Sequence, residues 1–188
     1  WMYDVTTANG TKNNFRNKFG TFHYLSYNII KELNVGLFEN VVWRGTDTNQ
    51  VRNFDVNYLN PVIFYRPVEY SLGSPDNSFI GLNLNATVFK KIKLYGQIAL
   101  DEFLLKEIRA RRGWWANKQG WQLGGKYINA FGIKGLKLQV EYNEVRPFTY
   151  SHGKVDQNYG HYGMPLAHPL GANFREFLGF VNYRKNNW

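Results

Sequence analysis

The stretch FIGLNLNATVFKKIKLYGQIALDEF, residues 79–103, decides the fold. In its first half Ile80, Leu82, Leu84, Ala86 and Val88 fall on one side, and Gly81, Asn83, Asn85 and Thr87 on the other. The second half repeats the pattern, with Ile92, Leu94, Gly96, Ile98 and Leu100 against Lys93, Tyr95, Gln97, Ala99 and Asp101. A period of two marks strands whose faces meet different surroundings. Lys90 leads to Ile92 almost directly, which is hairpin length, so the two strands are expected to be antiparallel neighbours.

Working outward, residues 119–129 set Trp121, Leu123, Gly125 and Tyr127 against Gln122, Gly124 and Lys126. Residues 135–143 set Leu136, Leu138, Val140 and Tyr142 against Lys137, Gln139, Glu141 and Asn143. Weaker strands are predicted at about 21–30, 33–43 and 174–184, where both faces carry apolar residues. Lys31-Glu32 and Ala130-Phe131-Gly132 make further short turns, whereas 44–78, 104–118 and 146–173 are long connections. Short and long connections alternate. That is the plan of an all-β, antiparallel transmembrane outer-membrane β-barrel, with short periplasmic turns and long extracellular loops. A soluble barrel or sandwich alternates too, with its apolar face turned inward as core. Two features favour the membrane version. All short turns lie on one side, and aromatic residues gather near strand ends. Trp43, Phe79, Phe103, Trp114, Trp115 and Trp121 fall toward the long loops, and Phe89, Tyr95, Tyr127 and Phe131 toward the short turns, as two interfacial girdles would require.

Composition narrows the classes further. The 188 residues carry a formal charge of +9, with 44% hydrophobic, 18% aromatic and 20% charged residues and no cysteine. No apolar run approaches the roughly 18 residues of a membrane-spanning helix, and the hydrophobic content argues against disorder. Disulfides, Cys-ligated zinc and thiol catalysis are excluded. Trp1 is not an initiator methionine, so a processed or incomplete chain is expected. Seven strands are legible, whereas bacterial single-chain barrels generally have an even number. Either an edge strand lies in the first 20 residues or in 55–65, or residues 1–188 are part of a larger barrel, a C-terminal-half fragment. The second is the favoured expectation, because an open sheet leaves edges that a membrane does not tolerate.

The segment YSHGKVDQNYGHYGMPLAHPLGANFREFLGF, Tyr150 to Phe180, resembles the Wzi-type capsule-assembly family of outer-membrane barrels, in its Bacteroidota branch, which includes the gliding-motility protein RemB. PLAHPLGANFREF, residues 165–177, carries most of the likeness. NVGLFENVVWRG at 34–45, YLNPVIFYRPVEYSLGSPDN at 58–77, LYGQIALDEF at 94–103 and WWANKQGWQLGGKY at 114–127 follow the same order. The resemblance implies a bacterial outer-membrane barrel. It also implies a role in attaching or organising surface polysaccharide (capsule), or in gliding motility and adhesion. It transfers no residue-level role.

Among candidate sites, Lys106, Arg109, Arg111, Arg112 and Lys118 surround Trp114 and Trp115 and, against Glu107 alone, supply about four of the nine net charges. Guanidinium groups pair with carboxylate or phosphate, and indole rings stack on sugars, so this loop is the candidate contact for an acidic glycan. The competing reading is a basic loop folded against lipopolysaccharide phosphates or acidic neighbouring loops. Nucleic acid is not an expected partner. Lys93, Asp101, Lys126, Lys137, Glu141 and Glu144 are expected to face the barrel lumen, pairing across strands or setting the selectivity of a channel. His152, His161 and His168 share one loop with Pro165, Pro169, Gly171 and Asn173. Their spacing matches no metal-ligand signature, and a hydrogen bond from His168 that fixes the loop is the simpler expectation. Asp101 and Glu102 are adjacent, hence on opposite faces, and no nucleophile triad or phosphate loop occurs, so neither an enzyme nor a cofactor is expected. The expected partners are surface polysaccharide or lipopolysaccharide, outer-membrane lipid, and other outer-membrane proteins of a secretion or motility complex.

Overall fold

The structure, a computed structural model, describes residues 2–6, 14–47, 50–51, 56–59, 76–101, 118–153 and 157–185. Its strands are β1 (Met2–Thr6), β2 (Asn14–Ile30), β3 (Leu33–Arg44), β4 (Thr46–Asp47), β5 (Gln50–Val51), β6 (Asn77–Val88), β7 (Ile92–Leu100), β8 (Gln119–Ile128), β9 (Leu136–Val145), β10 (Gly160–His161), β11 (Met164–Pro165) and β12 (Phe174–Tyr183). Eight of them form one antiparallel sheet in the order β1-β2-β3-β6-β7-β8-β9-β12. The other four make two small hairpins within the long connections. No helix among the described residues is long and apolar enough to cross a membrane, which has no bearing on strands.

The seven expected strands are all present, and the eighth is β1, inside the first 20 residues. Its pairing with Asn14–Lys18 also explains why β2 begins before the alternation becomes clean. Residues 56–59 are a 3-10 turn, not a strand. Among the described residues no ladder joins β1 to β12, so the sheet is not closed.

Directly opposed residues share a face. Following the registers, Leu25, Leu37, Leu82, Ile98 and Trp121 form one row, and Ser26, Gly36, Asn83, Gln97, Gln122, Asn143 and Glu176 form the neighbouring row on the other face. Much of the apolar face is open, with Leu123 60% exposed, Val140 52% and Phe177 71%, and on the polar face Phe22, Asn85 and Gln97 are exposed as well. A soluble sandwich would bury that face. Instead Phe38, Phe79, Ala99, Val145 and Tyr150 make a buried cluster on the polar face at its long-loop end. A smaller cluster of Val41, Trp43 and Tyr58 covers the apolar face at that end only, where Tyr58 lies 4.7 Å from the Trp43 ring and donates its hydroxyl to Asp76 at 2.6 Å.

These placements correct several expectations. Phe79 and Tyr95 have the parity of Asn83 and Gln97, so they belong to the polar face and to no interfacial girdle. Trp43 is buried under Tyr58. Trp121, Phe89, Tyr127 and Phe131 remain at the edges of the open side, while Phe103, Trp114 and Trp115 lie outside the described residues. Glu144 stands three residues from Glu141, an odd step in a regular strand, and so falls on the apolar face. There it pairs with Arg175 at 3.1 Å and accepts the Tyr142 hydroxyl at 2.9 Å.

Two glycines let large rings lie across the polar face. A Cβ on Gly124 would enter the Tyr95 ring, and one on Gly81 would enter Phe38. Gly124→Val should therefore displace Tyr95 and lower stability by about 1–3 kcal/mol. Denaturant unfolding of the two proteins measures it.

Candidate functional site

The middle of the polar face is a connected hydrogen-bond chain. Tyr95 donates its hydroxyl to Glu141 Oε2 at 2.5 Å and accepts from Gln139 Nε2 at 3.0 Å. Glu141 Oε1 accepts from Gln122 Nε2 at 3.0 Å and from Asn143 Nδ2 at 2.9 Å. Asn143 Nδ2 also donates to Glu176 at 3.1 Å, and Glu176 faces His168 Nε2 at 3.4 Å. Lys126 sits 5.4 Å from the centre of the Tyr95 ring, a cation–π distance. The side chains come from β7, β8, β9 and β12, so strand register alone sets their spacing. Toward the short turns the face opens into a hollow of about 520 Å³ whose lining includes Asn34, Asn85, Lys93, Tyr95 and Glu141. Amide, carboxylate, ammonium and phenol groups there suit a hydroxylated solute or ordered water.

At the other end the 146–173 connection folds across the same face. Left-handed backbone at Phe148 (φ 63) and Tyr150 (φ 75) turns the chain, and the Tyr150 amide donates to Asp101 Oδ2 at 3.0 Å. Tyr159 stacks on Phe79 at 5.1 Å, nearly parallel. Lys118 Nζ donates to the Ser151 carbonyl at 2.7 Å, Asn77 Nδ2 to the Gln157 carbonyl at 2.9 Å, and Lys18 Nζ to the Asn158 carbonyl at 2.9 Å. The loop leaves β9 and reaches β2, a distance of five strand spacings, roughly 24 Å on a flat sheet. Beneath it a second hollow of about 270 Å³ lies between Gln97, Asn143 and Val145 of the sheet and Ala167, His168 and Pro169 of the loop.

Of the residues singled out from sequence, Lys106, Arg109, Arg111, Arg112, Trp114 and Trp115 lie outside the described residues. Lys118 is buried and holds the loop base, so it is withdrawn from any surface contact. Lys93, Asp101, Lys126, Lys137 and Glu141 lie on the polar face. Only Glu141 and Lys126 join the central network, while Asp101 is buried at the loop end and Lys137 is exposed at the turn end. The three loop histidines do not converge with other ligands, and among the described residues no three metal-ligating side chains gather. His168 Nδ1 accepts the Leu170 amide at 3.2 Å, which leaves the ring proton on Nε2 toward Glu176. The ring also packs on Phe174 at 4.5 Å. His161 lies against Tyr162, and the His152 amide donates to Asn158 Oδ1 at 2.6 Å. Pro165 belongs to β11, and Gly171 (φ 74) and Asn173 (φ 61) take the left-handed turns that lead into β12.

Lys18, Asn77, Tyr159 and Gln157 were not foreseen as loop anchors. Lys18 has the parity of Gly20 and Phe22, which was its only signal; the other three become visible only once the loop is docked. Searches against family models, curated proteins and solved structures return no match to the chain.

Burial pushes the Tyr150 phenol up to about 12, with Tyr159 and the Asp101 carboxylate adding to it, and burial also raises Tyr159. An undocked loop ionises these groups near the ordinary value of about 10 and then holds fewer protons than the docked one. Docking is accordingly intact below pH 10 and weakens as pH rises toward 12, by about 2–3 kcal/mol for Tyr150. Phenolate absorbance should rise in step with protease cleavage in 150–160, and Tyr150→Phe should delay the cleavage.

Proposed function

We propose that the chain is the wall of an outer-membrane β-barrel at the cell surface. Its long-loop end is closed by residues 146–173, and it serves to attach or organise surface polysaccharide. The observation that carries the membrane reading is the inverted sheet. Leucine, valine and phenylalanine cover the open face, while amides and carboxylates on the other face bond to one another beneath a folded loop. Water on the apolar face would forgo about 25 cal/mol per Å² that burial in hydrocarbon recovers. The glycan reading is supported by the Wzi-type resemblance and by the basic, tryptophan-bearing 106–118 connection, which leaves from the same end as the docked loop. A place in gliding, adhesion or a secretion complex is the other role the resemblance implies, and co-purification from native membranes tests it.

A channel is the second reading, favoured by the polar hollow between Asn34 and Glu141. The docked loop stands across its long-loop end, anchored on both β2 and β9 sides. Reconstituted protein is therefore expected to show no steady conductance, and regular single-channel steps would support the channel instead. For the glycan role, Arg109→Glu with Arg111→Glu should release surface polysaccharide into the medium several-fold while leaving the protein's amount in the membrane unchanged. Unchanged glycan retention would refute that role.

A further inference from the structure

The short-turn end of the sheet carries two phenylalanines where the backbone disfavours them. Phe89 (φ 49) and Lys90 (φ 60) take the pair of positive φ angles that hairpin turns ordinarily give to Asn and Gly. Phe131 (φ 55) does the same in the next turn, beside Asn129 and Gly132, residues that adopt this conformation readily. Neither ring is repaid by packing in a core: Phe89 is 86% exposed and Phe131 76%. Backbone strain and an exposed ring at two separate turns together point to a surface built for contact. Phe131 meets Tyr127 edge-on at 5.7 Å, and Tyr127 belongs to the apolar face, so this tip continues the open hydrophobic band.

The same turns are basic. Lys90 and Lys91 follow Phe89, Lys134 follows Phe131, and Lys31 occupies the neighbouring β2–β3 turn; all four are exposed. Glu32 is the one acidic residue in these three turns. Rings that border an apolar band, with ammonium groups one to three residues away, match the layering of a bilayer boundary, where acyl chains give way to phosphate. An acidic protein would satisfy the lysines. It would not account for two exposed rings held in strained turns at one end of the sheet, one of them continuous with the apolar face.

We infer that the short-turn end is a lipid-headgroup site for anionic phospholipid, with Phe89 and Phe131 entering the interface and Lys31, Lys90, Lys91 and Lys134 contacting phosphate. This rests on the membrane reading above. The test is partition of the full-length protein, refolded from urea, into vesicles of phosphatidylcholine alone or with added phosphatidylglycerol, read by flotation at low and high salt. Wild type should insert into both and favour the anionic vesicles by roughly tenfold or more at low salt, a preference that salt removes. Lys90→Glu, Lys91→Glu and Lys134→Glu combined should abolish the preference while keeping insertion into phosphatidylcholine. Phe89→Asn with Phe131→Asn suits the backbone, and should weaken partition into both vesicles yet leave the salt-dependent ratio in place. Equal partition of wild type, or a preference that survives charge reversal, overturns the inference while the membrane reading stands. Failure to enter either vesicle overturns both, and capture by soluble polyglutamate with no vesicle preference would assign the lysines to an acidic protein.

Discussion

A polar side chain removed from bulk water has to find a hydrogen-bond partner, and the polar face of this sheet is arranged around that requirement. Glu141 is its centre: one carboxylate receives Tyr95, Gln122 and Asn143, and through Asn143 and Glu176 the chain of bonds reaches His168 in the loop. Each bond to a charged acceptor contributes about 1.5–3 kcal/mol. Glu141 is half-buried, so removing one donor leaves part of its charge to water and part to the remaining partners, which couples the members of the network. With the polar groups bonded on one side, the strands' apolar residues occupy the opposite face.

Docking of the 146–173 connection follows from the same rule. Residues 146–173 have few backbone ladders of their own among the described residues, and they dock by lending carbonyls to Lys18, Asn77 and Lys118 and an amide to Asp101. Phe38, Phe79, Tyr150 and Tyr159 then exclude water from those bonds. The loop is thus held from the near strands and from the far edge alike. That geometry favours a segment of fixed shape over a free surface flap.

The strands were legible because their cause is local. Alternation in 79–103 and 119–143 and the two- and three-residue turns locate the hairpins to within a few residues, except that β2 begins at Asn14, well before the expected 21. The same parity places Lys93, Lys126 and Glu141 on one face, and if followed strictly it would have placed Glu144, Tyr95 and Phe79 correctly too. What was illegible depends on distant partners. β1 has only five residues, and its identity as a strand comes from pairing with Asn14–Lys18. Lys18 meets Asn158 across 140 positions, and Asn77 meets Gln157 across 80. Spacing within a segment carries no trace of such contacts. Charge was legible in total but not in place: beside the basic connection at 106–118, a second concentration of lysine stands in the short turns, where the fold brings three hairpins to one end.

The orientation of the two faces is the central claim, and a site-directed nitroxide scan tests it most directly. The chain has no cysteine, so single Cys substitutions along residues 80–86 label cleanly. With the protein in bilayers, accessibility to oxygen is expected to peak at Leu82, Leu84 and Ala86 and to fall at Asn83 and Asn85. The opposite phase, or labels at 83 and 85 open to a water-soluble nickel reagent while 82 and 84 are shielded from both probes, would mean that the apolar face is an ordinary buried core.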